Sequence, residues 1–177
     1  KYKNGLAAAM LTTGCGATNA ITGLLDAWQD NTPVIFISGQ IKRKETSRNA
    51  QTNLRQFGVQ EADIVSIVES LTKYAVMVNE PEEVLYHLEK AVHLAQTGRP
   101  GPVWIDIPLD VQGFFIDTSE LKHFTPKVEV NQEIKGMDQF IRMYEQAERP
   151  IILAGNGVRL SGSVEKLREF VSKNNVP

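Results

Sequence analysis

Leu11-Thr12-Thr13-Gly14-Cys15-Gly16-Ala17-Thr18-Asn19 places a glycine on each side of the only cysteine in the chain. Before it, Leu6 to Leu11 is a short apolar run that suits a buried strand. After it, Ile21, Leu24, Leu25 and Trp28 recur at helical spacing, with Thr18 or Asn19 placed to cap that helix. The stretch therefore reads as a strand-to-helix turn stripped of side chains. Glycine serves such a turn in two ways: it permits positive φ, or it lets another molecule approach the backbone. Both remain open on these residues alone.

The strand–helix alternation continues outward. Val34–Ser38, Tyr74–Val78 and Val103–Ile107 are apolar and largely β-branched, as strands covered on both faces should be. Helical patterns are expected near 18–30, 61–72 and 81–97, with an irregular polar stretch near 40–56. The last helix is the clearest, with Pro81 in its first turn, Val84, Leu88, Ala91, Val92 and Ala95 on one face, and Gly98 at its end. The fold class is α/β, a parallel sheet flanked by helices. After Asp110 the periodicity lapses. Residues 1–115 are expected to form one α/β unit, 116–130 a connection, and 131–177 the start of a second, Rossmann-like α/β unit. In that unit Ile134, Met137, Phe140, Ile141 and Tyr144 mark a helix, Pro150–Gly155 a strand and turn, and Val164, Leu167, Phe170 and Val171 another helix.

Composition excludes several classes. The 177 residues are 42% hydrophobic and 23% charged, with a formal charge of −2. That balance gives no reason to expect a nucleic-acid or anionic-membrane partner. No apolar run is long enough for a bilayer, and one cysteine excludes an internal disulfide and fits a reducing, cytoplasmic setting.

Few residues suggest chemistry by type and spacing. His87 and His93 are six apart, too far for shared metal ligation on one helix, and His123 is isolated. Cys15 has no histidine beside it in sequence and reads as a small turn residue. Gly155-Asn156-Gly157 enters a helix but Leu160 stands where a dinucleotide fingerprint needs its third glycine. Lys42-Arg43-Lys44 suits either an anionic ligand or a solvated loop. Ser38-Gly39-Gln40 and Phe57-Gly58-Val59-Gln60-Glu61 are harder to explain as packing, because ligands of open parallel sheets bind at the carboxyl ends of strands. Gln60 offers both donors and an acceptor.

In order, TGCGATNAITGLLDAWQDNTPVIFISGQ, FGVQEADIV, SLTKYAVMV, TGRPGPVWIDIPLDVQ and RPIILAGNGV resemble thiamine-diphosphate-dependent enzymes of the acetolactate synthase type. The resemblance covers residues 5–160: the latter part of a pyrimidine-binding domain, then the opening of a central domain. It implies that Gly14, Cys15, Gly16 and Asn19 form the turn beside the cofactor and that Gln60 faces the cofactor region. Cys15 stands where the family carries proline, Val59 where acetolactate synthases carry an aromatic residue, and Lys42 where a proline follows the Gly-Gln pair.

The implied activity is decarboxylation of a 2-oxo acid such as pyruvate, followed by ligation to a second molecule. The implied cofactors are thiamine diphosphate, magnesium and, in some members, FAD, and the implied assembly is a homodimer or homotetramer. The first glutamate here is Glu45, whereas the family's activating glutamate belongs before the first strand. The magnesium motif belongs to a later domain. These 177 residues are thus expected to be a middle piece without activity of their own. Two other readings stand beside this one: a related lyase or decarboxylase acting on another 2-oxo acid, and a non-catalytic α/β nucleotide-binding module.

Overall fold

The computed structural model describes residues 5–50, 53–127 and 135–177. The chain divides into two compact units, Lys1–Pro126 and Lys127–Pro177.

The first unit begins with β1 (Ala7–Leu11), the helical turn α1 (Cys15–Thr18), α2 (Ile21–Gln29) and β2 (Val34–Gln40). A 3₁₀ turn at Arg43–Glu45 and α3 (Ser47–Ala50) follow, then α4 (Ile64–Val68) and β3 (Ala75–Met77). Next come α5 (Val84–Gln96), β4 (Val103–Pro108) and α6 (Leu109–Gln112). The four strands make one parallel sheet in the order β1-β2-β4-β3. All four expected strands are present, within two residues of the sequence reading.

Alternation along the central strands sorts the core into two layers. On one face Phe36 and Trp104 stack in parallel, ring centroids 5.0 Å apart, beneath Leu24 of α2 and Ile64, Val65 and Val68 of α4. On the other, Ile35, Val103 and Ile105 meet Ala91 and Ala95 of α5. Those alanines are fully buried, and their small size lets α5 lie close on the sheet.

Two helices differ from expectation. The pattern near 18–30 is split: Cys15–Thr18 forms its own turn, ended by Asn19, and α2 starts at Ile21 with no side-chain cap. The Thr18 hydroxyl donates back to Cys15 O (3.2 Å), so it does not cap α2. The pattern near 61–72 yields only Ile64–Val68, capped by Asp63, and tightens into a 3₁₀ turn at Glu69–Leu71. Four β-branched residues in five restrict propagation of that helix.

Lys122 to Phe124 are held against α5 and the turn before it. The Lys122 ammonium meets Glu83 (3.1 Å), His123 meets Glu89 (2.9 Å), and the Phe124 N–H donates to Glu89 (2.8 Å). The Phe124 ring stands edge-on to Tyr86.

The second unit contains α7 (Met137–Gln146), α8 (Gly157–Leu160) and α9 (Val164–Asn174), with Tyr144 of α7 against Phe170 of α9. Ile134 lies outside the described residues. Pro150–Gly155, expected as a strand, is irregular backbone. The Ile152 N–H donates to Pro177 O (3.0 Å), and Ile151 and Leu153 are exposed. A strand needs a neighbouring strand to take its N–H and C=O groups, and none adjoins this segment among the described residues.

Candidate functional site

The carboxyl ends of β1, β2 and β4 open into a cleft of about 640 Å³. Its apolar wall is formed by Met10, Leu11, Ile37, Ile41, Ile107 and Leu109, and its polar groups include Thr13, Ser38, Gln40 and Gln112.

The glycine turn follows β1 directly. Gly14 has φ +62°, in the region glycine favours, and is buried. A Cβ added there would lie 2.1 Å from Gln60 O and 3.1 Å from Gln60 C. The turn and the loop before α4 are therefore pressed backbone to backbone, 46 residues apart in sequence: Gly14 serves positive φ, and the space beside its Cα is filled by the chain's own loop. At Gly16 an added Cβ would meet the Thr12 methyl at 2.2 Å, so a side chain there requires the exposed Thr12 to turn aside. Cys15, Asn19 and Gln60 are exposed, and Gln60 itself holds φ +60°. Non-glycine residues seldom occupy that region, and such strain concentrates at functional edges.

Glu61 holds the Gln60 loop in shape. One carboxylate oxygen accepts from the Ser47 N–H and hydroxyl, the other from the N–H groups of Phe57 (2.8 Å) and Gly58 (3.3 Å). Burial alone would raise the Glu61 carboxyl, but these donors hold it below the usual carboxylate range. Arg43 is likewise structural. Its side chain pairs with Asp110 (2.8 Å) and donates to Asn79 O (2.5 Å), leaving Lys42 and Lys44 as the exposed cations of that run.

Beneath the cleft lies a polar group that sequence reasoning missed. Asp106 of β4 is 1% exposed and pairs in register with Ser38 of β2. The Ser38 hydroxyl donates to Asp106 Oδ1 (2.5 Å) and accepts from the Trp104 indole N–H (2.8 Å). Gln40 donates from Nε2 to Asp106 Oδ2 and to Ala62 O, both at 2.9 Å. Burial pushes the Asp106 carboxyl up to about 6, although the bonds from Ser38 and Gln40 pull it down. Ser38 and Gln40, singled out as unlike packing residues, thus turn inward. The available signal was Asp106 itself, an acid on the inward-facing side of a central strand, two residues from a tryptophan.

Gly14, Cys15, Gly16 and Gln60 are brought to one edge, with Asn19 at the end of the same turn. None of these five residues lines the cleft itself, which Thr12 and Thr13 reach from the same turn. Among the described residues no group of three or more His, Cys, Asp or Glu is placed to hold a metal ion.

Comparison with known proteins defines the class. Residues 1–67 match the family "Thiamine pyrophosphate enzyme, N-terminal TPP binding domain". Over those residues the chain is similar to that domain, and along most of its length it is similar to acetolactate synthase large subunits. It is 35% identical over 173 residues to the acetolactate synthase large subunit of Lactococcus lactis, a match covering 95% of this chain and 28% of that protein. It is 36% identical to the probable large subunit of Methanocaldococcus jannaschii (90% of this chain, 27% of that one). With acetolactate synthase 2, chloroplastic, of Nicotiana tabacum it shares 32% (94% and 24%). The chain thus spans under a third of the length of these relatives.

Proposed function

We propose that this chain supplies the pyrimidine-facing side of a thiamine-diphosphate site in an acetolactate-synthase-like enzyme, which joins two pyruvate molecules into 2-acetolactate with loss of carbon dioxide. The observation that carries the reading is the apposition of Gly14 and Gln60 at the carboxyl edge of the sheet, within the segment that matches the cofactor-binding domain. When bound, thiamine diphosphate supplies a nucleophilic carbon and an electron sink for decarboxylation.

The chain's own residues bind and orient. The turn Gly14–Gly16, packed against the Gln60 backbone, sets the edge, Asn19 and Gln60 supply exposed polar side chains, and Cys15 occupies the exposed position between the glycines. Met10, Leu109 and the cleft wall exclude water. No proton transfer is assigned to them. Magnesium, and the glutamate that activates the ring, belong in this reading to parts of the enzyme other than the described residues.

Met10 (84% exposed) and Leu109 at the cleft, with Phe57 and Val59 just before Gln60, leave apolar surface exposed, which supports a facing domain or subunit in a homodimer or homotetramer. A cytoplasmic setting belongs to the same reading. Among the described residues no helix is long and apolar enough to cross a membrane.

A second substrate reading has its own support. Val59, 81% exposed beside Gln60, and exposed Lys42 stand where the acetolactate synthase pattern has an aromatic residue and a proline. The test is a screen of full-length protein with thiamine diphosphate, magnesium and several 2-oxo acids, measuring carbon dioxide and ligated product. Acetolactate from pyruvate supports the first reading. Preference for another acid selects the second, and no turnover of any acid refutes both.

A further inference from the structure

We propose that Gln40 and Asp106 form a buried positioning pair that sets the spacing between the glycine turn and the loop carrying Gln60. The inference rests on the reading that this edge faces thiamine diphosphate, and concerns how the edge is held.

Gln40 is 5% exposed and uses its whole amide. Its Oε1 accepts from the Thr13 hydroxyl (3.0 Å) and from the Ile41 N–H (3.0 Å). Its Nε2 donates to Ala62 O and to Asp106 Oδ2. Thr13 adjoins Gly14, and Ala62 lies two residues beyond Gln60. One side chain therefore grips both segments, and the same two segments meet where Gly14 lies against Gln60 O.

The partners also fix which way the amide points. Ala62 O accepts only, as does the Asp106 carboxylate, and the Ile41 N–H donates only. A flipped amide would set carbonyl against acceptors and NH₂ against a donor, at a cost that buried groups cannot pass to water. Asp106 is held in turn by Ser38, and Ser38 by Trp104. Among the described residues no buried side-chain nitrogen or oxygen lacks a partner, so the network is closed. Because the Gln40 amide is fully engaged, it acts through the turn and the loop and offers nothing to a ligand.

The experiment compares full-length parent, Gln40→Met, Thr13→Val and Thr72→Val. Methionine keeps the volume and removes the amide. Thr13→Val removes one bond of the four. Thr72→Val deletes a buried bond to Val68 O elsewhere in the unit and serves as the control. Two quantities are read: amide hydrogen exchange, and affinity for thiamine diphosphate by titration, with KM for the 2-oxo acid measured alongside.

In Gln40→Met, exchange at residues 14–16 and 58–62 should rise together by about tenfold or more, with α5 unchanged. Cofactor affinity should fall at least about fivefold, as expected for losing more than one hydrogen bond, while KM holds. Thr13→Val should shift the turn alone, by about three- to tenfold. Thr72→Val should leave affinity at the parental value. Exchange that rises in one segment only, or uniformly across the unit, overturns the proposal, as does unchanged affinity in a folded Gln40→Met. If Gln40→Met does not fold, an unaltered exchange pattern in Thr13→Val overturns it. A parent that binds no thiamine diphosphate refutes the functional reading instead, and the exchange data still decide whether Gln40 couples the two segments.

Discussion

Replacing Gly14 with alanine strikes the point where turn and loop meet, and its effect follows from two features of the backbone. Alanine must hold φ +62° with ψ −123°, a combination largely reserved for glycine that costs an L-residue about 1–3 kcal/mol. Its Cβ must also find room where Gln60 O lies only 2.1 Å away. A carbon–oxygen contact is comfortable at about 3.3 Å, so the Gln60 loop must retreat by roughly 1 Å. Overpacking of this kind adds about 1–3 kcal/mol. The Gly14→Ala variant should therefore lose about 2–6 kcal/mol in urea unfolding. In the full-length enzyme, a displacement of roughly 1 Å at this edge should slow turnover on the order of 100-fold. Gly23→Ala is the internal control: it lies in α2 with no atom within 4 Å of the added carbon, and should stabilise by about 0.5–1 kcal/mol without touching activity. A Gly14→Ala protein as stable and as active as its parent would refute the claim that turn and loop are in contact.

Three other outcomes follow from the same structure. The Asp106 carboxyl titrates near 3.8 when unfolded and near 6 when folded, so between those values the native state holds a proton that the unfolded chain has released. Raising pH through that window should cost up to about 3 kcal/mol, with no further loss above it; urea unfolding of parent and Asp106→Asn from pH 4 to 7 should show this step in the parent only. Glu89→Ala removes the acceptor of Phe124 N–H and the partner of His123, so limited trypsin digestion should cut after Lys122 several-fold faster, and unchanged cleavage would contradict docking of that segment on α5. Trp104→Phe keeps a ring against Phe36 but strands the Ser38 hydroxyl without its donor, and should lower stability by about 1–3 kcal/mol in the same unfolding assay.

Much of the sheet was legible because its strands are apolar, β-branched runs bounded by turn residues, and such runs have few alternatives in an α/β chain. The glycine turn was legible for a related reason, since Gly14 and Gly16 interrupt a strand-to-helix passage where side chains would be normal. The extent of α4 was not, because Ile64, Val65, Ile67 and Val68 satisfy helical spacing while their branched side chains resist helix propagation. Pro150–Gly155 carries a strand's composition, yet composition cannot supply the neighbouring strand. The contact between Gly14 and Gln60 joins distant residues, and neither local pattern encodes it. The Ser38–Asp106–Gln40 network was half visible: its polar residues looked misplaced on strands, but their common partner is set by register across β2 and β4.

Titration of thiamine diphosphate, with magnesium, into full-length parent and Gln60→Ala tests the central claim most directly. The account predicts saturable binding by the parent and roughly three- to tenfold weaker binding by Gln60→Ala, the loss of one neutral hydrogen bond, with thermal unfolding unchanged. A parent that does not bind the cofactor, or a Gln60→Ala protein that binds it equally well, would contradict the assignment of this edge as the cofactor-facing side.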